Sequence, residues 1–415
     1  MKKMLFIFRS FNDLDHMTPV LDKSLECHPK ETVIACINPN FDLKNDFRVN
    51  YIENKHLVRI KYIYDLYSPS LKYKLFSFLT NSLSGSKFPH NGKPSIKSKI
   101  RNRIYNSRLK TYLYNVNWFN NLVQHKNIGI VIVDYGSRHK FIYNTINSVC
   151  KTRNIPIVGM PHGLDSADND FWTNQGNLDQ DRTRMDTNWG WIDNFIVASE
   201  NVKSKYSRVG IKENKMRVLG NPRFSKAWHN TYKTLIGANP IPYQNPNLKL
   251  VFFDHSIQYR SNPDEIYESL NAIDKLSFTD LVIKPHTRAG LSDTRLTTIG
   301  RVSQEHSLHL IEWADVIINY LSSIVYDAYY LNKIFIYPSH FNENTMIWEK
   351  YNACWKVSST KELTEAISQI YKGDYNLPYS STDVDIFLNH QVNGGHEGSD
   401  PSSSYLSCIK ETIRS

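Results

Sequence analysis

Short, uniformly apolar runs recur along this 415-residue chain, and several of them end abruptly in polar residues. Two runs show this most clearly: residues 281–288 are Leu-Val-Ile-Lys-Pro-His-Thr-Arg, and residues 314–319 are Ala-Asp-Val-Ile-Ile-Asn. Apolar runs of about four to eight residues are typical of strands buried on both faces of a parallel sheet. Because such sheets bind ligands beyond the carboxyl ends of their strands, the polar residues that follow are candidate ligand contacts.

The strand and helix signals alternate along the chain, which predicts an α/β fold of two Rossmann-like domains facing a cleft. At 415 residues the chain exceeds one ordinary hydrophobic core, so two domains are the expected number. We predict an N-terminal domain over residues 1–236, a proline-rich linker over 237–247, a C-terminal domain over 248–375 and a tail with a closing helix over 376–415.

The net charge of +10 arises in one segment. Between Ser68 and Val133 there are eleven Lys or Arg residues and no Asp or Glu, which leaves 39 basic and 40 acidic residues elsewhere. We interpret residues 68–126 as a basic helical insertion, and such a local excess indicates an anionic partner. The alternatives are helices with a solvated cationic face and docking on an anionic bilayer. Nucleic acid is not expected, because no recognition motif accompanies the charge.

Several classes of protein are disfavoured by composition and motifs. The five cysteines are odd in number and lack metal-type spacing, which indicates a reducing compartment. The apolar run before Arg9 is too short for a secretory leader, and no stretch approaches the roughly 20 apolar residues of a membrane span. Nucleotide-binding glycine motifs, a Walker loop and a nucleophile elbow are all missing from the sequence. We therefore expect neither a metal nor a cofactor.

The polar residues after the 281–283 run form one candidate anion site. A neutral imidazole at His286 can hydrogen-bond to a phosphoryl oxygen, and a protonated one can neutralise a phosphate. Lys284, Thr287 and Arg288 surround it in sequence.

The second candidate group follows the run that ends at Asn319. Ser322 and Ser323 are predicted to begin a helix, whose free amide groups and dipole favour an anion. Serine is also a common N-cap, so the pair alone does not require a phosphate. Asp327, one turn later, is a candidate either for a ribose hydroxyl or for satisfying nearby backbone.

Further candidates follow other strands. His162 or Asp165 is a possible general base toward a hydroxyl, and Gly163 lets a ligand approach the backbone, although a tight turn explains the same residues. Asp254 is a candidate nucleophile or electrostatic stabiliser of an oxocarbenium-like centre, or a turn residue. Arg223 is a candidate clamp for an anionic substrate.

Four short motifs together resemble bacterial surface-polysaccharide transferases of the two-Rossmann-domain (GT-B) class. Within that class they look most like the CMP-Kdo-dependent β-Kdo transferases and the CDP-glycerol glycerophosphotransferases of teichoic acid synthesis. The motifs are Pro161-His162-Gly163, Gly220-Asn221-Pro222-Arg223, Lys284-Pro285-His286-Thr287-Arg288, and Ala314-Asp315 with Ser322-Ser323 and Asp327. The chain has Pro-His-Thr where the glycerophosphotransferases usually have Pro-His-Pro, which weakens that branch.

The resemblance implies roles for individual residues. His162 would be the base-like residue, and His286, Ser322 and Ser323 would bind the donor phosphates. In the β-Kdo branch a carboxylate nucleophile gives retention of configuration, and Asp254 is the candidate.

The expected function is that of a cytoplasmic glycosyltransferase, peripheral on the inner face of the cell membrane, which builds a capsule, a lipopolysaccharide O-chain or a similar glycan. The C-terminal domain would bind a CMP- or CDP-linked donor such as CMP-Kdo, and the N-terminal domain a glycan or lipid-linked acceptor. Closure about the linker would expel water before transfer. The alternatives are a glycerol- or ribitol-phosphate transferase, a nucleotide-sugar 2-epimerase that needs no acceptor, and a non-catalytic protein that binds membranes or nucleic acid.

Overall fold

The computed structural model describes residues 1–39, 41–82, 103, 108–135, 141–163, 166–168, 189–239, 241, 246–256, 259–287 and 290–414. The predicted site residues Asp165 and Arg288 lie outside these ranges, as do most of residues 83–107 of the basic insertion and residues 242–245 of the linker. The chain divides into two compact units. Unit 1 comprises Met1–Gly163, Thr183–Arg223 and Gly398–Ser415, and unit 2 comprises Leu164–Arg182 and Phe224–Glu397.

Among the described residues, unit 1 is built on a seven-stranded parallel sheet with the order β3-β2-β1-β4-β5-β6-β7. The strands are β1 Lys3–Phe8, β2 Thr32–Cys36, β3 Lys61–Tyr62, β4 Ile128–Asp134, β5 Ile157–Met160, β6 Asn194–Val197 and β7 Met216–Val218. All seven residues of β4 are buried, as its unbroken apolar run predicts. The chain order reverses between β1 and β4, so the topological switch point lies at their carboxyl ends.

The helices of unit 1 include the described part of the basic insertion. They are α1 Phe11–Cys27, α2 Phe47–His56, α3 Leu71–Ser82, α4 Arg108–Leu113, α5 Val116–Lys126, α6 Phe141–Arg153 and α7 Glu200–Arg208. The pattern of apolar and basic residues over 96–125 predicts one long helix with a break near Asn115. In the structure a new helix, α5, starts there, because the Asn115 side chain caps it by accepting a hydrogen bond from the Trp118 amide at 3.1 Å.

Unit 2 repeats the architecture with a six-stranded parallel sheet, ordered β10-β9-β8-β11-β12-β13 among the described residues. Its strands are β8 Leu248–Phe253, β9 Thr279–Lys284, β10 Arg301–Val302, β11 Val316–Asn319, β12 Ile334–Pro338 and β13 Trp355–Val357. Its helices are α8 Lys226–Ile236, α9 Pro263–Asp274, α10 Ser307–Trp313, α11 Val325–Tyr330, α12 Ile347–Lys350, α13 Thr360–Lys372 and α14 Ser381–Val392. The switch point of this sheet lies between β8 and β11.

The boundary between the units falls after Arg223, earlier than the linker predicted over residues 237–247. Helix α8 therefore belongs to unit 2, and its contacts give the reason. The Phe224 ring, just before α8, stacks on Tyr326 at a centroid distance of 4.6 Å. Within α8, His229 Nδ1 lies 2.7 Å from Asp327 Oδ1 of α11.

The C-terminal stretch of residues 376–415 is divided between the units. Helix α14 packs in unit 2, where Phe387 stacks on Tyr326 at 5.3 Å. The final helix, α15 Pro401–Arg414, packs in unit 1, where the Tyr405 hydroxyl donates a hydrogen bond to the Gly220 carbonyl at 2.8 Å. The last helix of the chain therefore belongs to the N-terminal unit.

Two local predictions in unit 2 are wrong. The Leu-His-Leu run of residues 308–310 predicts a short strand, but these residues lie in α10, with Leu308, Leu310 and Ile311 buried. The helix expected to start at Ser322 is α11, which starts at Val325.

Candidate functional site

The switch point of the unit 1 sheet carries a cluster of four ionisable side chains, which we call the unit 1 cluster. Arg9 follows β1, Asp13 lies in the first turn of α1, Asp134 ends β4 and His162 follows β5. Both carboxylates are fully buried, and the His162 side chain is 29% exposed. The sequence predicted only His162 of these four as a site residue.

The imidazole of His162 is held by two carboxylates. Its Nδ1 lies 2.7 Å from Asp13 Oδ1 and 3.0 Å from Asp134 Oδ2. Nδ1 also lies 3.3 Å from Nη2 of Arg9. The two oxygen contacts are shorter, and an unprotonated Nδ1 would face two anions, so we assign a proton to Nδ1 that is donated to the carboxylates.

Arg9 supplies the second positive charge of the cluster. Its Nη2 lies 2.9 Å from Asp134 Oδ2, and its Nε lies 3.3 Å from Asp13 Oδ2. With His162 protonated, two cations balance two buried carboxylates. Asp13, Asp134 and His162 are residue types that can bind a divalent metal, and their ligand atoms lie within 4.8 Å of one another. The Arg9 guanidinium already bridges both carboxylates, so a metal ion would have to displace it.

The carboxylates set the protonation of His162. Burial by itself disfavours the imidazolium, but the hydrogen bonds to Asp13 and Asp134 outweigh burial and raise the pKa of His162 to about 9. Burial also disfavours the Asp134 carboxylate, yet its hydrogen bond with His162 and the charge of Arg9 lower the pKa of Asp134 to about 2. At neutral pH His162 is therefore an imidazolium, which can donate a proton or bind an anion. The predicted general-base role would first require loss of that proton.

Asp13 is fixed in place by the start of α1. Its Oδ2 accepts hydrogen bonds from the Arg9 amide at 2.9 Å and the Ser10 amide at 3.1 Å, and its Oδ1 accepts one from Ser10 Oγ at 2.7 Å. These bonds satisfy amide groups that a helix start leaves without partners. The hydrogen bonds that cap the start of α1 therefore also orient the Asp13 carboxylate, which contacts His162.

Replacing Asp134 by asparagine should lower the pKa of His162 and leave Asp13 as its one remaining carboxylate partner. An opposite charge within about 4–6 Å shifts a pKa by roughly one to three units, so we expect a shift of at least about one unit. An NMR titration of the His162 ring resonances measures this directly. An unchanged His162 pKa in Asp134→Asn would show that Asp134 does not stabilise the imidazolium.

The other predicted site residues of unit 1 differ in their surroundings. A side chain built at Gly163 would meet no atom within 4 Å, so the backbone there is open to a ligand. Arg223 is buried, and its Nε lies 2.6 Å from Asp15 Oδ2, while Arg48 Nη1 contacts the other oxygen of Asp15 at 3.0 Å. A substrate anion at Arg223 would have to compete with that carboxylate.

The switch point of the unit 2 sheet carries several of the predicted donor residues. His286 follows β9, and its backbone pairs with that of Gly290 through N to O distances of 3.1 and 2.9 Å. Its ring lies 4.8 Å from that of His255, measured between centroids. Lys284, at the end of β9, is buried, and burial lowers the pKa of its ammonium group although Glu305 partly opposes this. Thr287, the next residue after His286, is exposed.

His255 is a potential ligand contact that the sequence did not single out. It follows β8 directly after Asp254, and its carbonyl accepts a hydrogen bond from the Tyr320 hydroxyl at 3.3 Å. The sequence signal for His255 was its position just after the apolar run of residues 250–253, which Asp254 and His255 follow. Together with His286, it gives two imidazoles at the carboxyl ends of neighbouring strands, a suitable arrangement for a phosphate.

Asn319, Ser322 and Ser323 form the loop between β11 and α11. Asn319 Oδ1 accepts a hydrogen bond from the Ser322 amide at 2.9 Å, and Asn319 Nδ2 donates to the Ser322 carbonyl at 2.6 Å. Ser322 Oγ accepts the Ile324 amide at 3.4 Å. Asn319 therefore shapes the loop. The two serines are partly exposed, but they precede the helix and do not occupy its first turn.

Two predicted site carboxylates, Asp254 and Asp327, already form hydrogen bonds within the protein. Asp254 is buried; its Oδ2 accepts the Ser292 amide at 2.6 Å and its Oδ1 accepts the His255 amide at 2.9 Å. Burial raises the pKa of Asp254, although the bond from Ser292 opposes this. Asp327 is buried against His229. These contacts favour the turn role for Asp254 and an interhelical role for Asp327 over those of nucleophile and ribose ligand.

Comparisons with known proteins place the fold but not the family. No protein-family model and no curated protein sequence matches the chain. Among solved structures, it is similar to the UDP-GlcNAc 2-epimerase of Methanocaldococcus jannaschii, with a TM-score of 0.53 and 12% identity over 99% of both chains. The Neisseria meningitidis UDP-GlcNAc 2-epimerase bound to UDP-GlcNAc gives a TM-score of 0.53 and 12% identity over 99% of this chain and 100% of that one.

A glycosyltransferase structure is similar to the same extent. The glycotransferase of kitacinnamycin gives a TM-score of 0.52 and 9% identity over 99% of this chain and 98% of that one. The predicted fold class of two Rossmann-like domains of the GT-B type is confirmed. Identities this low show a shared fold and leave the reaction to the residues of the site.

Proposed function

We propose that this chain is an enzyme that acts on a nucleotide sugar. The observation that carries the proposal is the unit 1 cluster, in which two buried carboxylates hold His162 as an imidazolium at the switch point of the sheet. Buried ionisable groups with strongly shifted pKa values at such positions are typical of functional sites. The histidine pair His255 and His286 at the switch point of unit 2 is suited to the nucleotide phosphates.

For His162 we propose proton donation through Nε2. Its Nδ1–H is committed to Asp13 and Asp134, so Nε2–H is the donor that remains for substrate. The departing phosphate oxygen of a nucleotide sugar gains negative charge as its bond to the sugar breaks and its electron pair leaves with the oxygen. An imidazolium stabilises that charge by hydrogen bonding or by giving up its proton. Asp13 and Asp134 position the ring and keep it charged, and Arg9 holds the two carboxylates in place.

For the overall reaction we propose 2-epimerisation of a nucleotide sugar. The support is that several solved structures of the same fold are described as UDP-GlcNAc 2-epimerases, two of them with UDP-GlcNAc bound. Inverting a carbon that carries hydrogen requires a base that removes the proton and an acid that returns one to the other face. His162 is the acid as an imidazolium, and it becomes a base once its proton has passed to the departing phosphate oxygen. The test is incubation with UDP-GlcNAc alone, followed by NMR of the sugar. Inversion at C2 of the sugar without any added acceptor supports epimerisation, and UDP-GlcNAc that stays unchanged argues against it.

The second candidate is glycosyl transfer in bacterial surface-polysaccharide synthesis, with Kdo from CMP-Kdo as the specific donor to test. It is favoured by the acid-free basic segment, which suits an enzyme at the inner face of the membrane with a lipid-linked acceptor. A polyol-phosphate transferase using CDP-glycerol is a variant of the same candidate. Release of nucleotide that depends on an added glycan acceptor separates transfer from epimerisation.

Replacing His286 by alanine should weaken nucleotide binding about ten- to a hundredfold, because a hydrogen bond to a charged phosphate is worth roughly 1.5–3 kcal/mol. The measurement is calorimetric titration with the nucleotide that binds best to the wild type. His390→Ala, an exposed histidine of α14 in the same unit, is the matched control and should bind normally. Equal affinity in His286→Ala and the control would remove His286 from the phosphate site.

A further inference from the structure

Helix α3 exposes a stripe of large apolar side chains. Leu71 is 79% exposed, Leu75 55% and Phe78 66%. At 100° per residue these three positions fall within an arc of about 60° on the helix surface. Scattered exposed apolar residues are normal, but three in one narrow stripe on one helix form a contiguous surface.

The opposite side of α3 attaches the helix to unit 1. Phe76 is buried and meets the Tyr114 ring edge-on at 5.5 Å, and the Tyr73 hydroxyl donates a hydrogen bond to the Leu113 carbonyl at 3.1 Å. Tyr114 in turn contacts the buried Trp118 at 4.8 Å. The helix is therefore held by one face, and the apolar stripe is its outward face.

Cationic and aromatic side chains border the stripe. Lys72 and Lys74 lie on its two flanks, at about 100° and 60° from Leu71 by helical geometry. Lys72 Nζ lies 5.4 Å from the ring centre of Tyr112, a residue of α4 that is 67% exposed. An apolar stripe with lysines on both sides and a neighbouring exposed tyrosine is the arrangement of helices that lie in a bilayer interface.

We propose that this surface, which we call the α3 face (Leu71, Lys72, Lys74, Leu75, Phe78 and Tyr112), docks on an anionic lipid bilayer. The apolar side chains enter the boundary between headgroups and acyl chains, and the lysines contact lipid phosphates. The charge of the surrounding sequence matches this partner, because no acidic residue occurs between Ser68 and Val133. No described helix is long and apolar enough to span a bilayer.

The exposed stripe favours a bilayer over the other anionic partner, nucleic acid. Binding to phosphate backbones needs the lysines but gives no role to Leu71 and Leu75, whose combined exposed surface would stay in water. A bilayer accommodates both kinds of side chain. The inference concerns an attachment surface and holds for either candidate reaction.

The test is sedimentation of the full chain with vesicles of phosphatidylglycerol and phosphatidylethanolamine, and with neutral phosphatidylcholine vesicles. We expect binding to the anionic vesicles that weakens with salt. Leu71→Ser with Leu75→Ser should lower the partition coefficient at least about tenfold. Lys72→Gln with Lys74→Gln should lower it roughly fivefold per charge at low salt. Because all four side chains lie at the protein surface, the thermal midpoint should not change.

The matched control is Ile386→Ser, which removes an apolar side chain of similar exposure, 47%, from α14 in unit 2. It should bind vesicles like the wild type. The proposal is overturned if the wild type ignores anionic vesicles, if the leucine variants bind as well as the control, or if the chain binds an oligonucleotide but no vesicle. Nucleotide titration of the same leucine variants should remain normal, so failure of the α3 face would leave the proposed function intact.

Discussion

Replacing His162 by glutamine is expected to lower turnover of the nucleotide sugar by roughly 10²- to 10⁴-fold, the usual contribution of a positioned proton donor. Glutamine keeps a polar side chain of similar reach that can still hydrogen-bond to Asp13 or Asp134, but it has no transferable proton at physiological pH. Nucleotide affinity should change less than turnover, because His162 acts mainly on the charge that develops as the bond to the sugar breaks, whereas His255 and His286 are the proposed contacts of the bound nucleotide. Steady-state kinetics and calorimetric titration on the same preparation measure the two quantities separately.

The pH dependence of the wild type gives an independent check. The pKa of His162 is raised to about 9, so the imidazolium is present below that pH and is lost as the pH rises through it. Turnover should therefore fall on the alkaline side near pH 9, and the Asp134→Asn variant should move that fall to lower pH. His390→Gln serves as the control substitution. Wild-type turnover in His162→Gln, or a wild-type profile that rises through pH 9, would contradict the proton-donor role.

Replacing His229 by alanine is expected to destabilise unit 2 by about 3–5 kcal/mol, because it removes the imidazole that lies 2.7 Å from the buried Asp327 carboxylate. The effect should appear as a lower midpoint of denaturant unfolding. The double variant His229→Ala with Asp327→Ala should lose less stability than the sum of the two single variants, since the pair is already broken by either substitution.

A further variant, Asp327→Asn, decides between two roles for Asp327, a link between two helices and a contact with a ribose hydroxyl. If Asp327 joins α8 to α11, the Asp327→Asn variant should bind nucleotide with wild-type affinity while losing stability. If Asp327 holds a ribose hydroxyl, as the spacing after Ser322 and Ser323 suggested, nucleotide affinity should drop and stability should change little. Because His229 is buried, the structure favours the first outcome.

The architecture was predictable because buried parallel strands leave a strong local signal. The apolar runs that became β1, β4, β8 and β11 are visible without knowing their neighbours, and the polar residues after them mark the sheet edge where ligands bind. His162 and His286 were predicted as site residues in this way. The two-residue strands β3 and β10 were not, since their pairing depends on the neighbouring strand and not on their own sequence.

The residues that contact His162 could not be predicted from the sequence near it. Arg9 and Asp134 are 125 positions apart and meet because β1 and β4 are neighbours in the sheet, which the order of strands in the sequence does not reveal. The protein contacts of Arg223, Asp254 and Asp327 were not predictable for the same reason. Each follows or adjoins a predicted strand, but Asp15, the backbone amides of residues 255 and 292, and His229 occupy them in the folded chain.

The central claim is that the unit 2 switch point binds the nucleotide of a sugar nucleotide, and calorimetric titration of the wild-type chain with CMP, CDP, UDP and GDP tests it most directly. A nucleotide present at about 100 times its Kd would also stabilise the fold by roughly 2.7 kcal/mol, which a thermal shift can verify. We predict saturable binding of at least one of the four nucleotides, weakened at least about tenfold in His286→Ala and unchanged in His390→Ala. Absence of binding for all four nucleotides would contradict the account.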